Sequence, residues 1–202
     1  MSGGFARRWP NPRERKQELR VAALKRRRSI DRSQMAELSS RVEANLVSLE
    51  EYTASRLLIS YCAKEDEVQT RLIIERALAE GRRVAVIVTH VVSKRLSFSE
   101  ITSFADDLAP GAFGILEPKP GRGKRIGIAE ADLIIVPLVA WDESGHRLGY
   151  GAGYFDRALQ GARTTKVGLG LESQRLPEIP SSRFDVPLDL IVTETRVVRP
   201  RR

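Results

Sequence analysis

Residues 133–160 read LIIVPLVAWDESGHRLGYGAGYFDRALQ. The stretch opens on a β-branched apolar run, Leu133 to Trp141, that suits a buried strand and its exit. It closes on a helix of about two turns from Tyr154 to Gln160, with Gly161 as a stop. Between them Gly149, Gly151 and Gly153 alternate with Tyr150 and Ala152. A strand, a glycine loop and a helix in that order are the pieces of an α/β protein.

The flanking sequence repeats the alternation. LLISY, from Leu57 to Tyr61, and VAVIV, from Val84 to Val88, read as strands. The segment between them reads as a helix stopped by Gly81, which makes a βαβ unit and a parallel strand pair. Leu96 and Phe98 alternate like a short strand. Downstream, VGLGL from Val167 and LIVT from Leu190 supply further strands. Two helices come first. One runs from Arg13 to Arg28 and places Lys16 and Arg20 on a shared face. The other begins at Asp31, which with Gln34 forms a cap, and carries Met35, Leu38, Val42, Leu46 and Leu49 as an apolar stripe. The expected fold is a single α/β domain over residues 13–202 with a mainly parallel sheet.

Composition narrows the function. The formal charge is +8, all of it from residues 1–28, which hold ten Lys/Arg against two Asp/Glu. Residues 1–12, with Gly3, Gly4, Pro10 and Pro12, read as a disordered basic arm. The KRRR run at 25–28 suits a polyanion or, equally, a solvated helix face. One cysteine, Cys62, excludes an internal disulfide and fits a reducing, cytoplasmic setting. Two histidines and one cysteine give no zinc-ligand spacing. No apolar run is long enough to span a membrane. The exposed-looking segment EPKPGRGKR, residues 117–125, lacks the P-loop spacing.

The glycine stretch is a candidate phosphate loop. Glycines let backbone approach a ligand, amides entering a helix bind anions, and Arg147 adds a cation. The spacing G-x-G-x-G differs from the dinucleotide pattern, and the loop begins about twelve residues after its strand. Asp156, in the first helical turn, would repel a phosphate. Either it caps the helix with no phosphate near, or Mg²⁺ lies between the two.

The block IIVPLVAWDESGHRLGYGAGYFDRAL resembles the signature of the 5-formyltetrahydrofolate cyclo-ligases, also called methenyltetrahydrofolate synthetases. K-x-x-L-R at Lys16–Arg20, the acids Asp66 and Glu67 before a helix, and VGLGLESQRLPEIPSSRFDVPLDLIVTE agree in order and spacing. The resemblance implies a three-layer α/β/α sandwich. It implies ATP- and Mg²⁺-dependent closure of 5-formyltetrahydrofolate to 5,10-methenyltetrahydrofolate. It assigns Lys16, Arg20, Arg147 and the backbone of Leu148, Gly149, Tyr150, Gly151, Ala152, Gly153, Tyr154 and Phe155 to ATP, with Lys16 and Arg147 acting in phosphoryl transfer. Asp156 and Asp185 are the implied Mg²⁺ ligands, with Asp189 in reserve. Glu67, Cys62, Tyr150 and Trp141 are the implied folate contacts. A monomer with small-molecule substrates is expected, and no membrane partner. The competing readings are a nucleic-acid-binding protein that uses the basic end, and a fold relative with a changed substrate.

Overall fold

Every residue of the run Leu57–Ser60 is buried, as are four of the five in Leu133–Pro137. Strands that are apolar on both faces need cover on both faces, so helices and loops must sandwich the sheet. A computed structural model describes residues 11–201. In chain order the elements are α1 Pro12–Arg28, α2 Arg32–Val47, α3 Glu50–Thr53, β1 Leu57–Ser60, α4 Arg71–Ala79, β2 Arg83–His90, β3 Arg95–Ile101, α5 Phe104–Asp107, β4 Leu108–Pro110, β5 Leu116–Pro118, β6 Arg125–Ile126, β7 Leu133–Pro137, β8 Ala140–Trp141, β9 Arg147–Leu148, α6 Tyr154–Leu159, β10 Thr165–Leu169, β11 Leu190–Val192 and β12 Val197–Val198.

Eight strands form one sheet in the order β12-β11-β10-β7-β1-β2-β3-β6. The five central strands run parallel, and antiparallel strands close both edges. The βαβ unit is therefore present, with Leu57 beside Arg83 and Ser60 beside Val86. Gly81 ends the crossover at φ +76°, a conformation that favours glycine.

Helix α2 starts where the cap predicts: the Asp31 carboxylate accepts from the Gln34 N–H at 2.8 Å. Its stripe turns inward, with Met35, Val42 and Leu46 buried. Each such side chain contributes about 1.5–3 kcal/mol by leaving water. Helix α1 begins at Pro12 with Asn11 as its cap, so the end of the expected arm belongs to the helix. The rest of that arm, residues 1–10, lies outside the described residues.

Two features depart from the expectations. The gap between β7 and the glycine loop is filled by the small hairpin β8–β9, which returns the chain to the sheet end. The segment 117–125 is also more ordered than an exposed loop. Glu117 in β5 is buried, and β6 pairs with β3.

Candidate active site

The parallel strands β1, β2 and β7 send Tyr61, Cys62, Ile87, Thr89 and Pro137 into a cleft of about 790 Å³ at their carboxyl ends. Ligands in open parallel sheets bind at this end. The glycine loop forms one wall, and α1 brings Lys16 and Arg20 to it.

The loop is shaped by two glycines. Gly151 at φ +98° and Gly153 at φ +69° hold conformations that side chains rarely adopt. A Cβ on Gly151 would also stand 3.2 Å from the Arg20 guanidinium carbon. Arg20 Nε donates to the Gly149 carbonyl at 2.7 Å, which ties α1 to the loop. Helix α6, which follows the loop, is only six residues long.

The charges beside the loop are paired. The Arg147 side chain is 5% exposed and donates to Asp156 Oδ1 at 2.8 Å and to the Val186 carbonyl. Burial lowers its pKa, and Asp156 opposes that shift. Asp156 Oδ1 also accepts the Val186 N–H at 3.2 Å. Lys16 Nζ lies 2.7 Å from both oxygens of Asp185. Burial pushes the Asp185 carboxyl up, but hydrogen bonds from Lys16 and Ser182 outweigh it and hold the group below its usual range. Asp189 does not line the cleft; it accepts the Lys166 N–H and pairs with the Lys166 ammonium.

A second cluster lies deeper. Tyr150 reaches from the glycine loop and donates its hydroxyl to Glu67 Oε1 at 2.7 Å. Arg27 donates to the same hydroxyl at 2.7 Å and to Asp66 at 2.8 Å. Glu67 Oε2 accepts the Lys64 N–H. Burial raises the Tyr150 pKa, and Glu67 raises it further. Cys62 is buried against this end, and burial pushes its thiol up to about 12.

Most of the expected site residues thus share one cleft: Lys16, Cys62, Arg20, Glu67, Arg147, the loop from Leu148 to Phe155, Asp156 and Asp185. Trp141 does not. Its side chain is fully buried and its indole N–H donates to the Leu171 carbonyl, so it is core and cannot flank a ligand. Its aromatic character at a strand exit suited either role, and the β8–β9 hairpin turns it inward. Arg27 corrects the reading of the KRRR run. It is 1% exposed and belongs to the site's support, whereas Lys25, Arg26 and Arg28 are exposed. Arg13, Phe113, Glu117 and Phe184 also line the cleft and were not singled out in the sequence. Phe113 carried a faint signal, since its neighbour Gly114 marks a turn. Phe113 itself adopts φ +58°.

The fold and cleft define a class: an α/β protein with a glycine loop, flanked by Lys16, Arg20 and Arg147, at the carboxyl edge of a parallel sheet. The comparisons then place it. The model of the 5-formyltetrahydrofolate cyclo-ligase family matches residues 12–194, and the chain belongs to that family. It is 30% identical to a 5-formyltetrahydrofolate cyclo-ligase of Mycolicibacterium smegmatis, covering 90% of this chain and 94% of that one. It is 28% identical to the protein of that name from Haemophilus influenzae, over 89% and 98% of the two chains. The solved structure of a 5,10-methenyltetrahydrofolate synthetase from Aquifex aeolicus superimposes with TM-score 0.81 at 35% identity, covering 93% of both chains.

Proposed function

We propose that the chain is an ATP-dependent 5-formyltetrahydrofolate cyclo-ligase. The observation that carries this reading is one cleft with two chemistries. Lys16, Arg20 and Arg147 gather at the glycine loop, while Cys62, Ile87, Leu96 and Ile115 make an apolar end with buried carboxylates. A nucleotide's phosphates suit the first and a pteridine ring the second.

The chemistry follows from the substrate. A formamide oxygen is a weak nucleophile and a very poor leaving group. Transfer of the γ-phosphoryl of ATP to that oxygen gives an N5 iminium phosphate and ADP. N10 then attacks the formyl carbon and loses its proton, the C–O bond breaks, and phosphate leaves with the former formyl oxygen. The product is the 5,10-methenyl cation. Phosphoryl transfer asks mainly for positioning and charge neutralisation, which accounts for a cleft without a nucleophilic triad. Lys16 and Arg147 neutralise the transferring group, and Arg20 fixes the loop through Gly149. The backbone from Leu148 to Phe155 wraps the phosphates.

Asp156 and Asp185 fit Mg²⁺, because hard carboxylate oxygens beside phosphate-binding cations match an ion that takes one or two carboxylates plus phosphate oxygens. Bound there, Mg²⁺ supplies charge neutralisation on the phosphate oxygens. Glu67, braced by Tyr150 and Arg27, accepts an N–H from the pterin, and Cys62 packs on the ring. The direct assay is growth of the methenyl chromophore from 5-formyltetrahydrofolate with ATP and Mg²⁺. Folded protein that gives no chromophore contradicts the reading.

A further inference from the structure

Two guanidinium groups grip the glycine loop. Arg20 comes from α1, donates to the Gly149 carbonyl at 2.7 Å and lies against Gly151. Arg157 comes from α6. Its Nη2 donates to the Ala152 carbonyl at 2.7 Å, and a Cβ on Gly153 would stand 3.0 Å from its Nη1. Its Nε donates to the Lys94 carbonyl at 2.9 Å. Lys94 ends the turn of the β2–β3 hairpin and holds φ +52°, a conformation rare for residues other than glycine. One planar fork thus joins the loop to the hairpin whose Ile87, Thr89 and Leu96 line the cleft.

The bond to Ala152 fixes more than one oxygen. All described peptide bonds are trans, so a carbonyl and the N–H of the next residue point in opposite directions in one plane. Holding the Ala152 carbonyl therefore aims the Gly153 N–H away from Arg157 Nη2, as Arg20 aims the Tyr150 N–H through Gly149. Neither of these N–H groups has an acceptor among the described residues. Glycine makes the constraint necessary. With glycine at 153, the peptide between Ala152 and Gly153 turns over at little steric cost, and the turned form presents an oxygen where the N–H stood. The Arg157 fork opposes that turn.

We propose that Arg157 is a positioning residue for nucleotide binding. It holds the Ala152–Gly153 peptide with its N–H toward the phosphates and anchors that peptide to the β2–β3 hairpin. The proposal rests on the cyclo-ligase reading, which puts ATP at this loop. Arg157 touches neither substrate, and its effect passes through the Gly153 amide.

The test uses wild type, Arg157→Ala and Arg157→Lys. It measures KM for ATP and for 5-formyltetrahydrofolate, and the affinity for ADP with Mg²⁺ by calorimetry. Arg157→Ala should raise KM for ATP and Kd for ADP by about 10-fold, the worth of one hydrogen bond to a charged group. KM for the folate should stay within about threefold. The urea midpoint should stay near that of wild type, because the side chain is exposed. Lysine keeps the charge but not the fork that spans two carbonyls, so Arg157→Lys should remain about fivefold weakened or more; it also serves if Arg157→Ala does not fold. Unchanged nucleotide affinity in the folded variants overturns the proposal. Full recovery in Arg157→Lys overturns it too, since that marks a charge acting on phosphate directly. A lowered urea midpoint with both KM values raised together makes Arg157 a fold residue and is equally contrary. Wild type that binds ADP but forms no methenyl product contradicts the cyclo-ligase reading instead, and the ADP comparison still reads Arg157.

Discussion

Lys16 and Asp185 stand 169 residues apart in sequence, yet the ammonium lies 2.7 Å from both carboxylate oxygens across the mouth of the cleft. The pair joins the first helix to the loop before β11. In the proposed reaction its members have different partners, the cation a phosphate chain and the carboxylate a metal. The ion pair therefore holds both groups at the cleft and must open when ATP and Mg²⁺ enter.

Lys16→Ala tests that exchange. Loss of one charge-assisted phosphate contact is worth about 1.5–3 kcal/mol. KM for ATP should rise by about 10- to 100-fold while KM for the folate stays within about threefold. A comparable rise in both would place Lys16 in the fold and not at the phosphates.

Asp185→Asn reports the same pair through pH. The carboxyl is depressed in the folded protein, so its stabilising contribution is present above the unfolded value of about 3.9. That contribution is lost as pH falls through the lower folded value. Urea unfolding should show wild type more stable than the variant near neutral pH, with the difference shrinking as pH drops below about 4. A difference that persists or grows in acid contradicts the assignment.

Tyr150→Phe removes the hydroxyl that lies between Arg27 and Glu67. Arg27 keeps Asp66, so the fold should survive. Glu67 loses its short bond, and KM for the folate should rise about tenfold. Steady-state kinetics with each substrate varied separate this from a change in ATP affinity.

Cys62 should be nearly inert in the native protein. Its thiol is pushed up to about 12 by burial, with Glu117 adding to the shift, so it stays protonated at neutral pH. Alkylation by iodoacetamide near pH 7 should run about a thousandfold slower than in the urea-unfolded chain. Labelling at comparable rates in both states would remove Cys62 from a dry folate wall.

The parallel core was readable because β1, β2 and β7 are short β-branched runs, each marked off by turn residues. Of the antiparallel parts, β3 showed its alternation at Leu96 and Phe98, and the shorter strands did not. Strands β6, β8, β9 and β12 have two residues each, too few to show a period. The glycine loop announced itself, since Gly151 and Gly153 satisfy a real backbone need. Arg27 and Glu117 were hidden for one shared reason. Each is a charged residue in a polar segment, buried by partners distant in sequence, while its neighbours are exposed around Arg27 and half-buried around Glu117. Trp141 erred the other way, as an aromatic residue whose burial depends on a hairpin that no spacing revealed.

The central claim is that the formyl oxygen is phosphorylated before the ring closes. The most direct measurement uses 5-formyltetrahydrofolate carrying oxygen-18 in the formyl group, with ATP and Mg²⁺, and mass analysis of the released phosphate. The account predicts one oxygen-18 in each phosphate formed with methenyl product. Unlabelled phosphate, with the heavy oxygen appearing in water, would contradict it.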